Sequence, residues 1–463
     1  MALVRISRYK YRKSFYNVEF VLNTLVSVCI LTFSFGVLFS SYTQQIYSQT
    51  ISWFVGDYWC DQETQGIGVH CFGDFAAPSR IMNSVNPWEG DLNIAYTPVN
   101  FLYFKLLNLD FITDINTHLP TIINLVFMIL ALAIPGLHMI LRAESEKSRR
   151  IGKLALLLSL CSSPSLMIVD RGASMFLLFP LTYFFYLAIQ SSDQKKAFII
   201  LVGMSLWKPQ MLLFVILIYF SFGLWASLKI FATSLIGILF SFILYPAGFL
   251  TNILTWASNI IEYQNYNTMP SLGNYSLVNF YAFAQSGVKW LFLDKSFLEA
   301  FKPNLRSDTV SIIAQLILLI FIILILINGK SLTKLEAFFT LSVILIVTPG
   351  VTFGYYLTLL LIPIFFIAKE DKSFTSSTLL TRSWKFIYFF LFFALPAWPL
   401  SWGYLGFFNN YAWALYGVQW AFVHCILSVL AIWLVGILTA KFFFRRNVQD
   451  QESMTNLRSK SIK

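Results

Sequence analysis

The acid with the most distinctive setting is Asp74, in Phe72-Gly73-Asp74-Phe75. Aromatic neighbours exclude water, and a partly desolvated carboxylate is tuned toward general-base work. Asn86-Pro87-Trp88 and Tyr96-Thr97-Pro98 come after it, and then Val99 to Asn108, which reads as an amphipathic stretch on a membrane surface. Two cations border apolar runs: Arg171 in Asp170-Arg171-Gly172 and Lys208 in Lys208-Pro209-Gln210. Charge at membrane depth is costly unless it is paired or faces a cavity. Together the two could hold an anionic headgroup such as a lipid phosphate, guanidinium through paired hydrogen bonds and ammonium as a point charge. An Arg171–Asp170 ion pair or snorkelling to the interface is the plainer alternative for Arg171. Farther on, Glu262-Tyr263-Gln264-Asn265-Tyr266-Asn267 and Gly273-Asn274-Tyr275-Ser276 are rich in amides and phenols. Such groups suit a polyhydroxylated ligand, or make an ordinary polar loop.

These residues need a scaffold, and the composition says which kind. The chain has 463 residues, 57% hydrophobic and only 12% charged, with 47 Phe, 22 Tyr and 13 Trp. No water-soluble domain of that size buries so much apolar surface, so the reading is an all-α polytopic membrane protein. A soluble enzyme, a nucleic-acid binder and a disordered chain are excluded. Val18 to Ser41 comes after a basic segment, residues 1–17, and is longer than a signal-peptide core, so we read a retained first span. Further apolar runs are Leu119 to Leu141, Leu154 to Val169, Ser174 to Gln190, Ala197 to Phe222, Ile230 to Pro246, Thr309 to Asn328, Leu335 to Thr348, Tyr355 to Ala368, Phe386 to Leu400 and Trp413 to Ala440.

The run Ala197 to Phe222 sets the parity of every later span. Broken at Lys208-Pro209, where proline donates no backbone hydrogen bond, it makes two short helices and returns the chain to the cytoplasmic side. Most of the 33 lysines and arginines then fall inside, including the basic tail 441–463. The expectation is about twelve membrane segments, two of them short, within one domain over residues 18–440, with both termini cytoplasmic. Two large extracytoplasmic loops result, 41–118 and 247–308, and long loops in a tightly connected protein are usually functional. The net charge of +11 is topological and calls for no nucleic-acid partner. Cys60 and Cys71 lie in the first loop, where a disulfide is plausible and two free thiols are the alternative. His70, His118, His138 and His424 are scattered, no glycine-rich phosphate loop is present, and no metal is indicated.

The order of these features resembles integral-membrane glycosyltransferases of the GT-C fold, in particular glycosyltransferase family 87, whose members use polyprenyl-phosphate sugars. The likeness rests on Gly73-Asp74-Phe75 with Asn86-Pro87-Trp88 and Tyr96-Thr97-Pro98, on Asp170-Arg171-Gly172, on Gly203 through Lys208-Pro209-Gln210, and on Gly273-Asn274-Tyr275-Ser276-Leu277. Thr348-Pro349, Tyr355-Tyr356 and Leu361-Ile362-Pro363 resemble the family's late segment. Where the family commonly has a histidine before that tyrosine this chain has Gly354, and Tyr275 stands where glutamine is more usual. These departures suit a divergent member.

The resemblance implies sugar transfer from a polyprenyl-phosphate donor to a glycan or glycolipid acceptor at the outer face of the plasma membrane, with inversion. Asp74 would be the base, and Arg171, Lys208, Tyr355 and Tyr356 would serve the donor phosphate. Trp88, Tyr96, Asn274, Tyr275 and Ser276 would contact sugar or acceptor, the aromatics by stacking on sugar faces. Anchoring at the membrane interface is the alternative for each aromatic. We expect a monomer; a divalent metal is not indicated, and mannose and arabinofuranose are the family's usual sugars. A transporter or flippase of a lipid-linked or amphiphilic substrate is the competing class, and a non-catalytic assembly subunit or envelope polymerase a third. Transport predicts a two-fold internal repeat, which the sequence does not display.

Overall fold

The computed structural model describes residues 18–43, 73–89, 96–109, 112–113, 119–267, 307–329, 332–347, 354–369, 378–396, 423 and 426–441. Cys60, Cys71, Asn274, Tyr275, Ser276, the N-terminal segment and all but the first residue of the basic tail lie outside them. Among the described residues every regular element is helical. In chain order these are α1 (Val18–Thr43), α2 (Gly73–Ile81), α3 (Pro98–Leu107), α4 (Leu119–Leu141), α5 (Glu146–Cys161), α6 (Ser163–Arg171), α7 (Leu178–Gln190), α8 (Gln194–Trp207), α9 (Val215–Phe222), α10 (Leu224–Ser241), α11 (Phe249–Asn267), α12 (Ser307–Asn328), α13 (Lys334–Val347), α14 (Thr358–Lys369) and α15 (Thr378–Ala394). A last helix, α16, covers Ile426–Lys441.

By length and composition three of these can cross a membrane: α1, α4, and α10 with the single 3-10 turn that extends it to Leu244. A fourth crossing arises if α5 and α6, bent by 46°, form one span. The remaining apolar runs fold as shorter helices, Ser174–Gln190, Pro209–Phe222, Leu316–Asn328, Tyr355–Lys369 and Ile426–Lys441. The expectation of about twelve segments is therefore met only in its coarser part, an all-helical chain with membrane-length apolar helices. Local chemistry explains some breaks. Ser162 is the extended cap between α5 and α6, followed at once by Ser163-Pro164, so the ladder cannot continue through it.

The outward faces are apolar. On α4, Ile122, Val126, Ile129, Leu130 and Leu137 are exposed; on α10, Leu228, Phe231, Leu235 and Phe240. Helices that show such stripes outward are built for hydrocarbon surroundings. α13 and α14 are buried on every side and pack on each other, with α14 also against α5 and α7. α4 and α5 come close because a Cβ on Gly136 would fall 2.5 Å from the Leu156 Cα, and one on Gly152 2.8 Å from the Ile140 nitrogen. Small residues permit that backbone approach. A second, smaller core gathers Phe75, Trp88, Phe101, Phe104, Phe242 and Tyr245, joining α2 and α3 to the end of α10.

Candidate functional site

Asp74 lies in the first turn of α2, where the positive end of the helix favours a carboxylate. The next residue, Phe75, is buried edge-on against Phe104 of α3, 5.7 Å between centroids, which fixes α2 on α3. Ser79 donates to the Phe75 carbonyl, and the Asn108 amide reaches Ser79 Oγ at 3.2 Å, closing the other end of that contact.

Arg171 is the last residue of α6. Gly172 comes next with φ +63°, a left-handed conformation that glycine takes at little cost. It lets the Ala173 amide donate back to the Ile168 carbonyl at 3.0 Å, and the Gly172 amide to that of Val169 at 3.2 Å. The chain then turns into a short 3-10 helix, Ser174–Leu177. α6 packs against α2, and Arg171 Nη1 stands 4.0 Å from Asp74 Oδ1, with 13% and 24% of the two side chains exposed. The 3-10 turn Gly354–Leu357 also packs on α6; in it Tyr355 and Tyr356 are buried and stacked, 5.2 Å between rings.

Lys208 sits at the break expected from the sequence. α8 ends at Trp207, Lys208 is extended (φ −141°, ψ 105°), and Pro209 opens the 3-10 helix Pro209–Phe214. A residue before proline is pushed out of helical geometry, so this pair ends the helix. Lys208 Nζ lies 5.3 Å from the centroid of the Tyr96 ring, a cation–π distance. The Tyr96 hydroxyl in turn donates to the Asp74 carbonyl at 3.4 Å. Lys208, Tyr96, Asp74 and Arg171 thus form one linked group drawn from four separate stretches of sequence.

Below this group lies a buried polar lattice. Thr97 Oγ1 donates to the Leu206 carbonyl at 2.8 Å; Asn100 Nδ2 donates to Thr97 Oγ1 at 2.8 Å and to the Trp207 carbonyl at 2.7 Å. Ser174 Oγ donates to Asn100 Oδ1 at 2.9 Å, and Trp207 Nε1 to the Ser174 carbonyl at 3.0 Å. Beside it Tyr103 donates to Asn124 Oδ1. Burial raises the Tyr103 phenol above its ordinary range, which keeps that proton on oxygen.

Trp88 and Tyr96 both have partners within the fold. Trp88 is 1% exposed, with its ring against Phe101, Phe242 and Tyr245. Its Nε1 donates to the Tyr96 carbonyl at 2.8 Å, and its own carbonyl accepts from Asn259 at 2.6 Å. It is a core anchor that ties the segment after α2 to α11, and no sugar can stack on a ring so enclosed. Tyr96 is a seat for the Lys208 ammonium, its edges packed on Phe101 and Phe104. Asn100 and Ser174 escaped the sequence reading. Their available signal was a polar residue at a buried position of the amphipathic stretch, and a serine beginning a helix directly after Asp170-Arg171-Gly172.

Among the described residues no group of three or more His, Cys, Asp or Glu is placed to hold a metal ion. No family model, no curated protein and no solved structure matches the chain. Chemically, the group offers one carboxylate as proton acceptor and two cations for an anion, close beside an aromatic floor.

Proposed function

We propose that the chain is a membrane glycosyltransferase that moves a sugar from a polyprenyl-phosphate donor to a glycan or glycolipid acceptor at the outer face of the plasma membrane. The observation that carries this reading is the meeting of Asp74 with Arg171 and, through Tyr96, with Lys208. Asp74 takes the proton of the acceptor hydroxyl as that oxygen bonds to the anomeric carbon. The bond from the anomeric carbon to the phosphate oxygen breaks on the opposite side, inverting the configuration, and the electron pair leaves with polyprenyl phosphate. Arg171 and Lys208 meet the negative charge growing on that phosphate, the electrostatic term that usually dominates such catalysis. Tyr355 and Tyr356, on the 3-10 turn that packs against α6, line the donor side.

The test is transfer of labelled sugar, mannose or arabinofuranose, from a panel of polyprenyl-phosphate donors in membranes. Asp74→Asn should lower the rate by about 10²–10⁴-fold, the usual worth of a general base, in protein that stays folded. Wild-type transfer by Asp74→Asn would remove Asp74 from the mechanism. If wild-type protein consumes no donor on a broad panel, the competing reading, transport of a lipid-linked substrate past the broken helix at Lys208, moves ahead.

A further inference from the structure

Pro209 leaves carbonyls stranded at the end of α8. In an unbroken helix the amides of residues 209 to 211 would serve the carbonyls of 205 to 207. Pro209 has no amide hydrogen, and the Met211 amide donates to the Lys208 carbonyl at 2.9 Å. Two of the stranded carbonyls are instead served from the start of α3: Leu206 by Thr97, and Trp207 by Asn100 at 2.7 Å with Thr97 Oγ1 at 3.4 Å. A buried carbonyl without a partner is costly, so these donors are what makes a sharp break at Lys208 tolerable.

Asn100 does more than supply a donor to the break. It is fully buried, both hydrogens of its amide nitrogen are used, and its oxygen accepts from Ser174. One amide therefore grips the carbonyl adjacent to Lys208 and the side chain of the residue that opens the 3-10 turn after Arg171-Gly172. Trp207 Nε1, bonded to the Ser174 carbonyl, closes the ring.

We propose that Asn100, supported by Thr97, is a positioning residue that sets the spacing between the Lys208 and Arg171 cations. Its consequence for rate rests on the glycosyltransferase reading; its consequence for Lys208 does not. Asn100→Leu keeps the volume and removes the three side-chain hydrogen bonds of Asn100, to Thr97, the Trp207 carbonyl and Ser174. In that variant the Trp207 carbonyl keeps only the longer bond from Thr97 Oγ1 at 3.4 Å, the break loosens, and the ammonium leaves its seat on Tyr96. Thr97→Val removes one hydroxyl at constant shape, and Thr97→Ser retains it.

The experiment has two arms on full-length protein in membranes. A water-soluble acylating reagent, read by mass spectrometry, reports the rate of modification of Lys208 against the exposed Lys196. We expect Asn100→Leu to raise Lys208 acylation about tenfold, Thr97→Val to raise it less, and Thr97→Ser to match wild type. Sugar transfer should fall about 10²-fold in Asn100→Leu, chiefly in kcat, because the misplaced cation serves the departing phosphate. Should Asn100→Leu fail to fold, Thr97→Val against Thr97→Ser decides by the same acylation readout. Unchanged Lys208 reactivity in the folded variant overturns the proposal whatever the transfer rate does. Raised reactivity alongside a wild type that transfers no sugar leaves the positioning role standing and removes the transferase.

Discussion

Two carboxylates stand at the two ends of α7, and they are held in opposite ways. At its N-terminal end, which the 3-10 turn Ser174–Leu177 leads into, Asp74 is about a quarter exposed and faces Arg171 at 4.0 Å. At the end that finishes with Gln190, Glu336 is 2% exposed and enclosed by donors. Its Oε2 accepts from the Thr333 amide at 2.8 Å and its Oε1 from the Leu379 amide at 3.2 Å, with Lys441 at 3.9 Å. The Glu336 amide returns a bond to Thr333 Oγ1 at 3.1 Å, making a reciprocal cap on α13. Lys334 then fastens this cap to α7 through the Ile189 carbonyl at 2.8 Å. A buried carboxylate engaged by two backbone amides and a lysine has little left to exchange with a substrate. One paired at longer range and open to solvent can trade partners, and that is the physical ground for seeking chemistry at Asp74 and stability at Glu336.

The comparison breaks or holds on a pair of variants, which carry the largest effects expected. Asp74→Asn should abolish most of the transfer, with unfolding in detergent close to that of wild type. Glu336→Ala should do the reverse. It strands the buried Leu379 amide, takes the acceptor from the half-buried Thr333 amide and leaves Lys441 facing a vacated site, a loss of about 3 kcal/mol in stability, while transfer per folded molecule stays near wild type. Denaturant titration and initial rates on the same preparations decide. A Glu336→Ala protein that is stable but inactive would reverse the roles assigned to the two ends.

Much of this framework was legible in the sequence, for reasons that can be named. The break at Lys208-Pro209 came from the missing amide, and runs such as Leu119 to Leu141 and Ser174 to Gln190 fold as helices over those residues. The bend at Ser162 was hidden because Leu154 to Val169 is apolar through most of its length, and hydropathy does not register the turn that Ser162-Ser163-Pro164 imposes. Trp88 is ambiguous in sequence because tryptophan fits a sugar platform, an interface anchor and a core equally well; its burial among Phe101, Phe242 and Tyr245 is a tertiary fact. The Thr333-Lys334-Leu335-Glu336 cap was visible as a pattern before an apolar run and went unused. The approach of Arg171 to Asp74 had no local signal, because it depends on how α6 and α2 pack.

A subtler test separates two glycines that looked equivalent as parts of short motifs. Gly172, at φ +63°, turns the chain directly after Arg171, whereas Gly203 lies within α8 with open space where a Cβ would go. Gly172→Ala forces a left-handed alanine at a cost of about 1–2 kcal/mol and should displace Arg171, lowering both stability and transfer. Gly203→Ala should be neutral or stabilise by up to about 1 kcal/mol through helix propensity. Equal behaviour of the two would mean that the turn after Arg171 does not set the site.

The smallest effect comes from a third carboxylate, near the Glu336 end. Asp193 caps α8 by accepting from the Lys196 amide at 3.1 Å, and Lys196 Nζ lies 2.9 Å from its other oxygen. The hydrogen bond from the Lys196 side chain, and after it that from its backbone, holds the Asp193 carboxyl below its ordinary 3.8. A group lowered in the folded state binds fewer protons there than when unfolded. Its contribution is therefore present above the unfolded value and fades as pH falls from about 4 downward. Asp193→Asn keeps an effective cap and removes the titration, so its stability should vary less between about pH 5 and pH 3 than that of wild type. The pair is largely solvated, so the difference should be slight and shrink further in high salt. If acid sensitivity is unaltered in Asp193→Asn, it resides in better-protected carboxylates.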